Sequence, residues 1–361
     1  MVQFKHIKVY LEVEVMKVCI MTLQGNFNYG NRLQNYALQE VLKKIGYDVY
    51  SYPTNHTNAL NKFKNVIFDY GKDGRSIKKL SDFKRDRHFD IFTRNYIKLS
   101  NLNDADYYIV GSDQVWNPSF WGDIKNIDYY LLRNIDPKKR ISYAASFGID
   151  KLPNKWEQVF QEELTKFKNI SVREETGVNI VSNLTNRKSN LVLDPTMLLG
   201  KEEWEQIIVQ PNKSKYILLY YLGDISEELQ FYINSIEAKY ELEVINIMDK
   251  KNKYYSSGPA EFIGLIRDAS LVLTDSFHAT VFSILFSTPF LTFDRKQKNY
   301  NKMGSRIFTL LNTFSFEERF NNLNIDNPLQ CDFNRVNKKL EIERKKSIEY
   351  LVNALKNEVS K

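Results

Sequence analysis

The segment Leu273-Thr274-Asp275-Ser276-Phe277-His278-Ala279-Thr280 holds the side chains best suited to chemistry in this chain. Ser270-Leu271-Val272-Leu273 before it reads as a buried strand, and Ala279 to Phe286 after it as a buried helix stopped by Ser287-Thr288-Pro289. A further strand, Phe290 to Phe293, leads into the basic pair Arg295-Lys296. His278 thus stands on a strand-to-helix loop, the edge of an open α/β sheet at which ligands bind. Asp275 and Ser276 are its local polar partners. A histidine that exchanges protons near neutrality, facing Arg295 and Lys296, would suit an anionic substrate. The competing reading is a histidine that only caps or packs the helix.

Two series of alternating elements must position these residues. In the first, strand Val18 to Thr22 leads through the turn-rich loop Gln24 to Asn31 into a helix, Leu33 to Ile45. Gly46 ends that helix and strand Tyr47 to Tyr50 follows. This βαβ opening predicts a parallel sheet. The Gly/Asn loop occupies the place of a phosphate-binding loop but lacks the GxGxxG and Walker spacings. Residues 53 to 100 are polar and poorly periodic, and suggest two short helices. Strands at Tyr107 to Val110, Arg140 to Ala145, Asn169 to Val172 and Leu191 to Leu193 complete the series, with a helix at Asn154 to Phe167. The second series runs from Tyr216 through helix Ser226 to Lys239, strand Glu243 to Ile247 and helix Ala260 to Asp268 to the histidine unit. A Lys/Glu-rich helix, Asn334 to Glu358, closes the chain, its apolar stripe broken at Arg344. The expected division is an extension over 1–15, a Rossmann-like domain over 16–200, a second over 201–330, and an amphipathic C-terminal helix over 331–361.

Composition narrows the partners. A chain of 361 residues exceeds one ordinary domain, and 43% hydrophobic content supports real cores. The net charge of +7 and pI near 9.0 favour anionic partners. Nucleic acid is not expected, because zinc spacing and RNA-binding aromatic signatures are missing. No ligand cluster suggests a metal. Two cysteines, Cys19 in an apolar strand and Cys331, argue against a disulfide scaffold. No apolar run is long enough for a bilayer, and Glu12 and Glu14 interrupt any secretory signal. A cytoplasmic protein, with peripheral contact at the inner membrane surface, is the expectation.

At Gly111-Ser112-Asp113-Gln114-Val115-Trp116-Asn117-Pro118 the chain resembles the polysaccharide pyruvyl transferase family. Further matching motifs follow the family's order: Asn28-Tyr29-Gly30-Asn31 with Leu33-Gln34 and Tyr36-Ala37-Leu38, Ser171-Val172-Arg173-Glu174, Asp194-Pro195-Thr196, Ser276-Phe277-His278-Ala279 and Ser305-Arg306-Ile307. The match spans roughly residues 16 to 312. The resemblance implies an α/β protein of two Rossmann-like, doubly wound domains in a glycosyltransferase-B-like arrangement. It also implies transfer of a pyruvyl group from phosphoenolpyruvate to a sugar as a cyclic ketal. Phosphoenolpyruvate would be the donor substrate and no further cofactor is needed. The acceptor would be a polysaccharide sugar or its lipid-diphosphate-linked precursor.

On that resemblance His278 is the candidate acid for the donor methylene, and Asp113 a candidate base for the acceptor hydroxyl. Arg173, Lys296, Arg295 and Ser276 would hold the donor. The family commonly has an Asp-Pro-Lys-like turn where this chain has Asp294-Arg295-Lys296, which leaves the choice between Arg295 and Lys296 open. Arg173 has a second reading, as partner to Glu174 or Asp194. Asn28, Asn31, Gly111, Ser112, Gln114, Trp116 and Asn117 would line the acceptor side of the cleft. The Gly111 to Asn117 string has a structural reading as well, with a helix-capping turn and Trp116 in the core. Two other functions stay open: a glycosyltransferase of the same architecture using a nucleotide sugar, and a non-catalytic glycan- or lipid-phosphate-binding protein.

Overall fold

The structure, a computed structural model, describes residues 15–26, 28–53, 68–71, 74–77, 79–121, 123, 127–295 and 304–356. Residues 1–14 of the expected N-terminal extension, and Lys296, lie outside this set.

The first half opens with β1 (Lys17–Met21), α1 (Tyr29–Lys44) and β2 (Asp48–Ser51). A hairpin follows, β3 (Phe68–Gly71) and β4 (Gly74–Ile77), then α2 (Leu80–Tyr96), β5 (Tyr107–Val110) and β6 (Arg140–Ser142). Next come α3 (Asn154–Leu164), β7 (Ser171–Val172), α4 (Glu175–Thr185), β8 (Asn190–Leu191) and the short α5 (Lys201–Glu205). The second half contains β9 (Tyr216–Tyr220), α6 (Glu227–Tyr240), β10 (Glu243–Asn246), α7 (Pro259–Arg267), β11 (Leu271–Thr274), α8 (Phe277–Phe286) and β12 (Phe290–Thr292). It ends with α9 (Ser305–Phe314) and α10 (Val336–Ala354).

Two parallel sheets result, ordered β2-β1-β5-β6 and β10-β9-β11-β12. Bridges Ile141↔Asn169 and Ala145↔Val172 attach the β7-β8 pair to the first. The central strands β1, β5, β9 and β11 are buried on both faces, as a parallel sheet covered on both sides requires. In β1, Val18 and Ile20 enter one core while Cys19 and Met21 enter another. In β9, Tyr216, Leu218 and Tyr220 join the core shared with β1, and Ile217 and Leu219 turn away. That shared core fuses two Rossmann-like halves into the glycosyltransferase-B-like arrangement, carboxyl edge facing carboxyl edge. In each sheet the strand order reverses beside its first strand, between β1 and β5 and between β9 and β11. Such reversals open crevices that take ligands.

One departure from sequence expectation has a physical cause. Residues 80–96 form one helix of 17 residues rather than short pieces. Its buried face is Asp82, Arg85, Phe89 and Phe92, at helical spacing but half charged, so a hydrophobic pattern does not show it. The charges are matched by the second half: Tyr255 Oη donates to Asp82 Oδ1 at 2.5 Å, and Arg85 lies 5.0 Å over the Tyr255 ring. The C-terminal helix is equally bound up with the first half. Tyr350 Oη donates to Ser142 O at 2.8 Å, and Leu193 N to Ser347 Oγ at 3.0 Å. Arg344, the break in its apolar stripe, donates to the carbonyls of Met197 and Leu199 at 2.9 and 3.0 Å. Among the described residues no helix is long and apolar enough to cross a membrane.

Candidate active site

The site forms where the two crevices meet. From the first half, β5 ends in Gly111-Ser112-Asp113. Gly111 has φ +120°, and a Cβ there would strike the carbonyl of Tyr143. The loop is pinned from α1 and β1: Ser112 N donates to Gln34 Oε1 at 3.1 Å, Thr22 Oγ1 to Ser112 O at 3.0 Å, and Gln34 Nε2 to Thr22 Oγ1 at 2.8 Å. Asp113 accepts from Gln114 N at 2.8 Å and from the Asn31 side-chain amide at 2.6 Å.

Arg173, at the end of β7, donates to Asp194 Oδ2 at 2.6 Å, lies 3.6 Å from Asp113 Oδ1 and stacks 4.2 Å from the Phe277 ring. Asp194 also accepts from Ser112 Oγ at 2.7 Å and from Thr196 N and Oγ1 at 3.0 and 2.7 Å. Burial alone would raise the Asp194 carboxyl. His278, Arg173 and Thr196 reverse that and hold it well below the usual carboxylate range.

The second half supplies His278 in the first turn of α8. Ser276 caps that helix, accepting from Ala279 N at 3.5 Å. The His278 ring lies against Gly30, where a Cβ would run into Nδ1. Its Nε2 faces Asp194 Oδ2 at 3.7 Å and makes no hydrogen bond among the described residues. Arg306, in the first turn of α9, is 4% exposed. With its amide oxygen turned toward the guanidinium, Gln114 accepts from both Arg306 Nη atoms, one of them at 3.1 Å, while Nε is unpartnered among the described residues. Burial, Arg173 and Arg295 push the Arg306 guanidinium down to about 9, only partly opposed by Asp113 and Glu174. Such a charge calls for an anion.

The structure therefore brings His278, Arg173, Asp113, Ser112, Gly111, Asn31 and Gln114 together. Other expected residues hold the frame. Asn28 caps α1, accepting from Gly30 N at 3.0 Å. Arg295 donates from Nε to Asp275 Oδ2 at 3.2 Å, and Asp275 also accepts from the Leu222 and Gly223 amides at 2.8 and 2.6 Å. Two cleft-lining expectations are corrected. Trp116 is fully buried between Phe147 and Phe167 with Nε1 donating to Tyr130 O at 2.9 Å, because its large apolar ring packs into the first core. Asn117 caps the turn, its side-chain oxygen accepting from Ser119 N at 3.0 Å, so it supports the loop from beneath. Asp194, Arg306 and Gln34 were not among the candidates. All three stand in matched motifs; motif membership alone marked Arg306 and Gln34, while Asp194 was also a possible partner of Arg173, a pairing the structure forms.

His278, Arg173, Asp113, Asp194 and Arg306 are all buried. The void beside them, lined by Arg173, Asp194, Phe277 and Thr309, holds about 60 Å³, room for a few water molecules.

The sequence model of the polysaccharide pyruvyl transferase family matches residues 28–297, and the chain belongs to that family. It is accordingly a transferase of pyruvyl groups to polysaccharide. No curated protein matches the sequence. Among solved structures it is similar to UDP-GlcNAc 2-epimerase from Neisseria meningitidis bound to UDP-GlcNAc, at 13% identity and TM-score 0.45, covering 94% of this chain and 99% of that one. The Methanocaldococcus jannaschii UDP-GlcNAc 2-epimerase with UDP-GlcNAc and UDP gives 13% identity and TM-score 0.46 over 94% and 99%. The glycotransferase of kitacinnamycin gives 8% and 0.46 over 95% and 100%. These are likenesses of outline, so the chemistry rests on the site's own side chains.

Proposed function

We propose that the protein transfers the pyruvyl group of phosphoenolpyruvate to two hydroxyls of one sugar, forming a cyclic ketal and releasing phosphate. The observation that carries this reading is the under-partnered pair His278 and Arg306, set against the interlocked Arg173–Asp194–Asp113 floor. Phosphoenolpyruvate brings a carboxylate and a phosphate to such a site. Arg306 and Arg173 would take them, as guanidinium forks suit both anions. His278 Nε2–H gives its proton to the donor methylene, and positive charge develops at the adjacent carbon. One sugar hydroxyl adds there. Phosphate then leaves, its charge met by the arginines, and a second hydroxyl closes the ring. Of the two hydroxyl protons, one leaves with phosphate and one restores His278. Asp113 accepts the hydroxyl proton in transit; it carries two hydrogen bonds, against the four on Asp194.

Because the void is small, substrates enter only when the halves part at the Gly30–His278 and Arg173–Phe277 contacts. The acceptor is a sugar of a cell-surface polysaccharide or of its lipid-diphosphate-linked precursor, met by the cytoplasmic protein at the membrane surface. The test is phosphate release from phosphoenolpyruvate with a panel of sugar acceptors, and mass spectrometry of each acceptor. Acceptor-dependent release with a pyruvate-ketal mass gain is expected. A thermal shift with nucleotide sugars and none with phosphoenolpyruvate would replace this reading by glycosyl transfer.

A further inference from the structure

Three successive residues of α1 meet three different surroundings. Gly30 meets His278, Asn31 meets Asp113, and Arg32 lines a separate pocket of about 400 Å³. Gln24, Pro53, Asp90, Thr93 and Arg94 share that lining. Gln24 follows β1 and Pro53 follows β2, so the pocket lies on the carboxyl edge of the first sheet, where ligands bind in such folds.

Arg32 is 7% exposed, and its Nη2 donates to Asn26 Oδ1 at 2.7 Å. Its Nε has no hydrogen-bond partner among the described residues. Burial pushes the guanidinium down to about 10, opposed by Asp90. A buried charged donor left without a partner is costly, and the site is large enough for a small-molecule ligand. Arg94 is an exposed second cation on the rim, against the single carboxylate of Asp90. Thr93 Oγ1 donates to Phe89 O at 2.9 Å, leaving its lone pairs for a ligand hydroxyl. No described lining residue is aromatic, which gives a nucleobase nothing to stack on.

We propose that this pocket binds the phosphate-ester anion linking the acceptor sugar to its carrier, with Arg32 as the buried contact. The assignment to the acceptor rests on the pyruvyl-transfer reading, in which the donor's anions occupy the Arg173–Arg306 cleft. The chemistry shared by lipid-diphosphate and nucleotide-diphosphate carriers is the diphosphate ester.

Calorimetric titration of inorganic pyrophosphate into the full chain tests it. The wild type binds, Arg32→Met and Arg94→Ala weaken binding at least tenfold, and Arg32→Lys retains part of it. Arg94 is exposed, so its variant reports even where Arg32→Met fails to fold. No binding by the wild type, or unchanged binding in Arg94→Ala and in a folded Arg32→Met, overturns the proposal. Competition then separates the sources. Displacement by a short-chain lipid-diphosphate galactose supports a lipid carrier, displacement by UDP-galactose alone supports a nucleotide carrier, and displacement by neither overturns the acceptor assignment. Arg32-dependent pyrophosphate binding without acceptor-dependent phosphate release leaves the pocket standing while the pyruvyl-transfer reading falls.

Discussion

The two faces of the cleft are built on opposite plans. On the first half, Asp194 is saturated by Ser112, Arg173 and Thr196, and the Gly111–Asp113 loop is tied down by Gln34, Thr22 and Asn31. On the second half, His278 and Arg306 enter from first helical turns with polar atoms unpartnered. A satisfied network is rigid, while an unsatisfied buried cation raises the energy of the empty site. The carboxylates of the first face are a floor, and His278 and Arg306 of the second face, with the open Nε and Nη2 of Arg173, are the part that an anion completes.

The largest effect should come from the second face. His278→Ala is expected to lower acceptor-dependent phosphate release by about 10²- to 10⁴-fold, the usual yield of a positioned proton donor, with the circular-dichroism spectrum unchanged. Near-wild-type turnover would remove His278 from the mechanism. Arg306→Met separates function from stability: kcat/KM for phosphoenolpyruvate should fall roughly 100-fold, the size of one lost preorganised charge contact. Urea unfolding should show the empty variant no less stable than the wild type, because an uncompensated buried charge is gone. A marked loss of stability would mean that Arg306 is already matched in the empty protein.

The floor should answer in the other currency. Asp194→Asn leaves Arg173 and His278 facing a neutral amide, at a cost of about 3–5 kcal/mol for a broken buried pair. The acid limb carries a sign that can be checked. Because the folded Asp194 carboxyl lies below its ordinary value, its stabilisation is present above about pH 4, the unfolded value. It is lost as pH falls through the folded value. The wild-type unfolding free energy should therefore drop more steeply below about pH 4 than that of Asp194→Asn. Parallel curves would show that Asp194 is not the anchor of the floor.

Legibility followed the same division. The two strand–helix series could be read because parallel strands are apolar on both faces, and Tyr216–Tyr220 or Leu271–Thr274 leave little choice. His278 could be read from its loop, and Arg173 from its place after a strand. Arg306 was legible only as a letter in a motif, since nothing local distinguishes it from a surface arginine at the start of a helix. Helix α2 was hidden because its buried face spends Asp82 and Arg85 on partners 163 to 173 residues away in sequence. Long-range polar pairing of this kind leaves no periodic trace.

The smallest predicted effect tests where the cleft stops. Trp116 sits inside the motif that carries the family resemblance, yet its ring is locked between Phe147 and Phe167, behind the floor. Trp116→Phe keeps much of the apolar volume and leaves the Tyr130 carbonyl without its donor, an expected loss of about 1 kcal/mol. A residue lining the acceptor site would instead change KM for the sugar. Urea unfolding and acceptor KM measured on the same preparation separate the two. A lowered midpoint with unchanged KM places the boundary between floor and core at Gln114. A raised KM with unchanged stability would extend the cleft through the whole Gly111–Asn117 string.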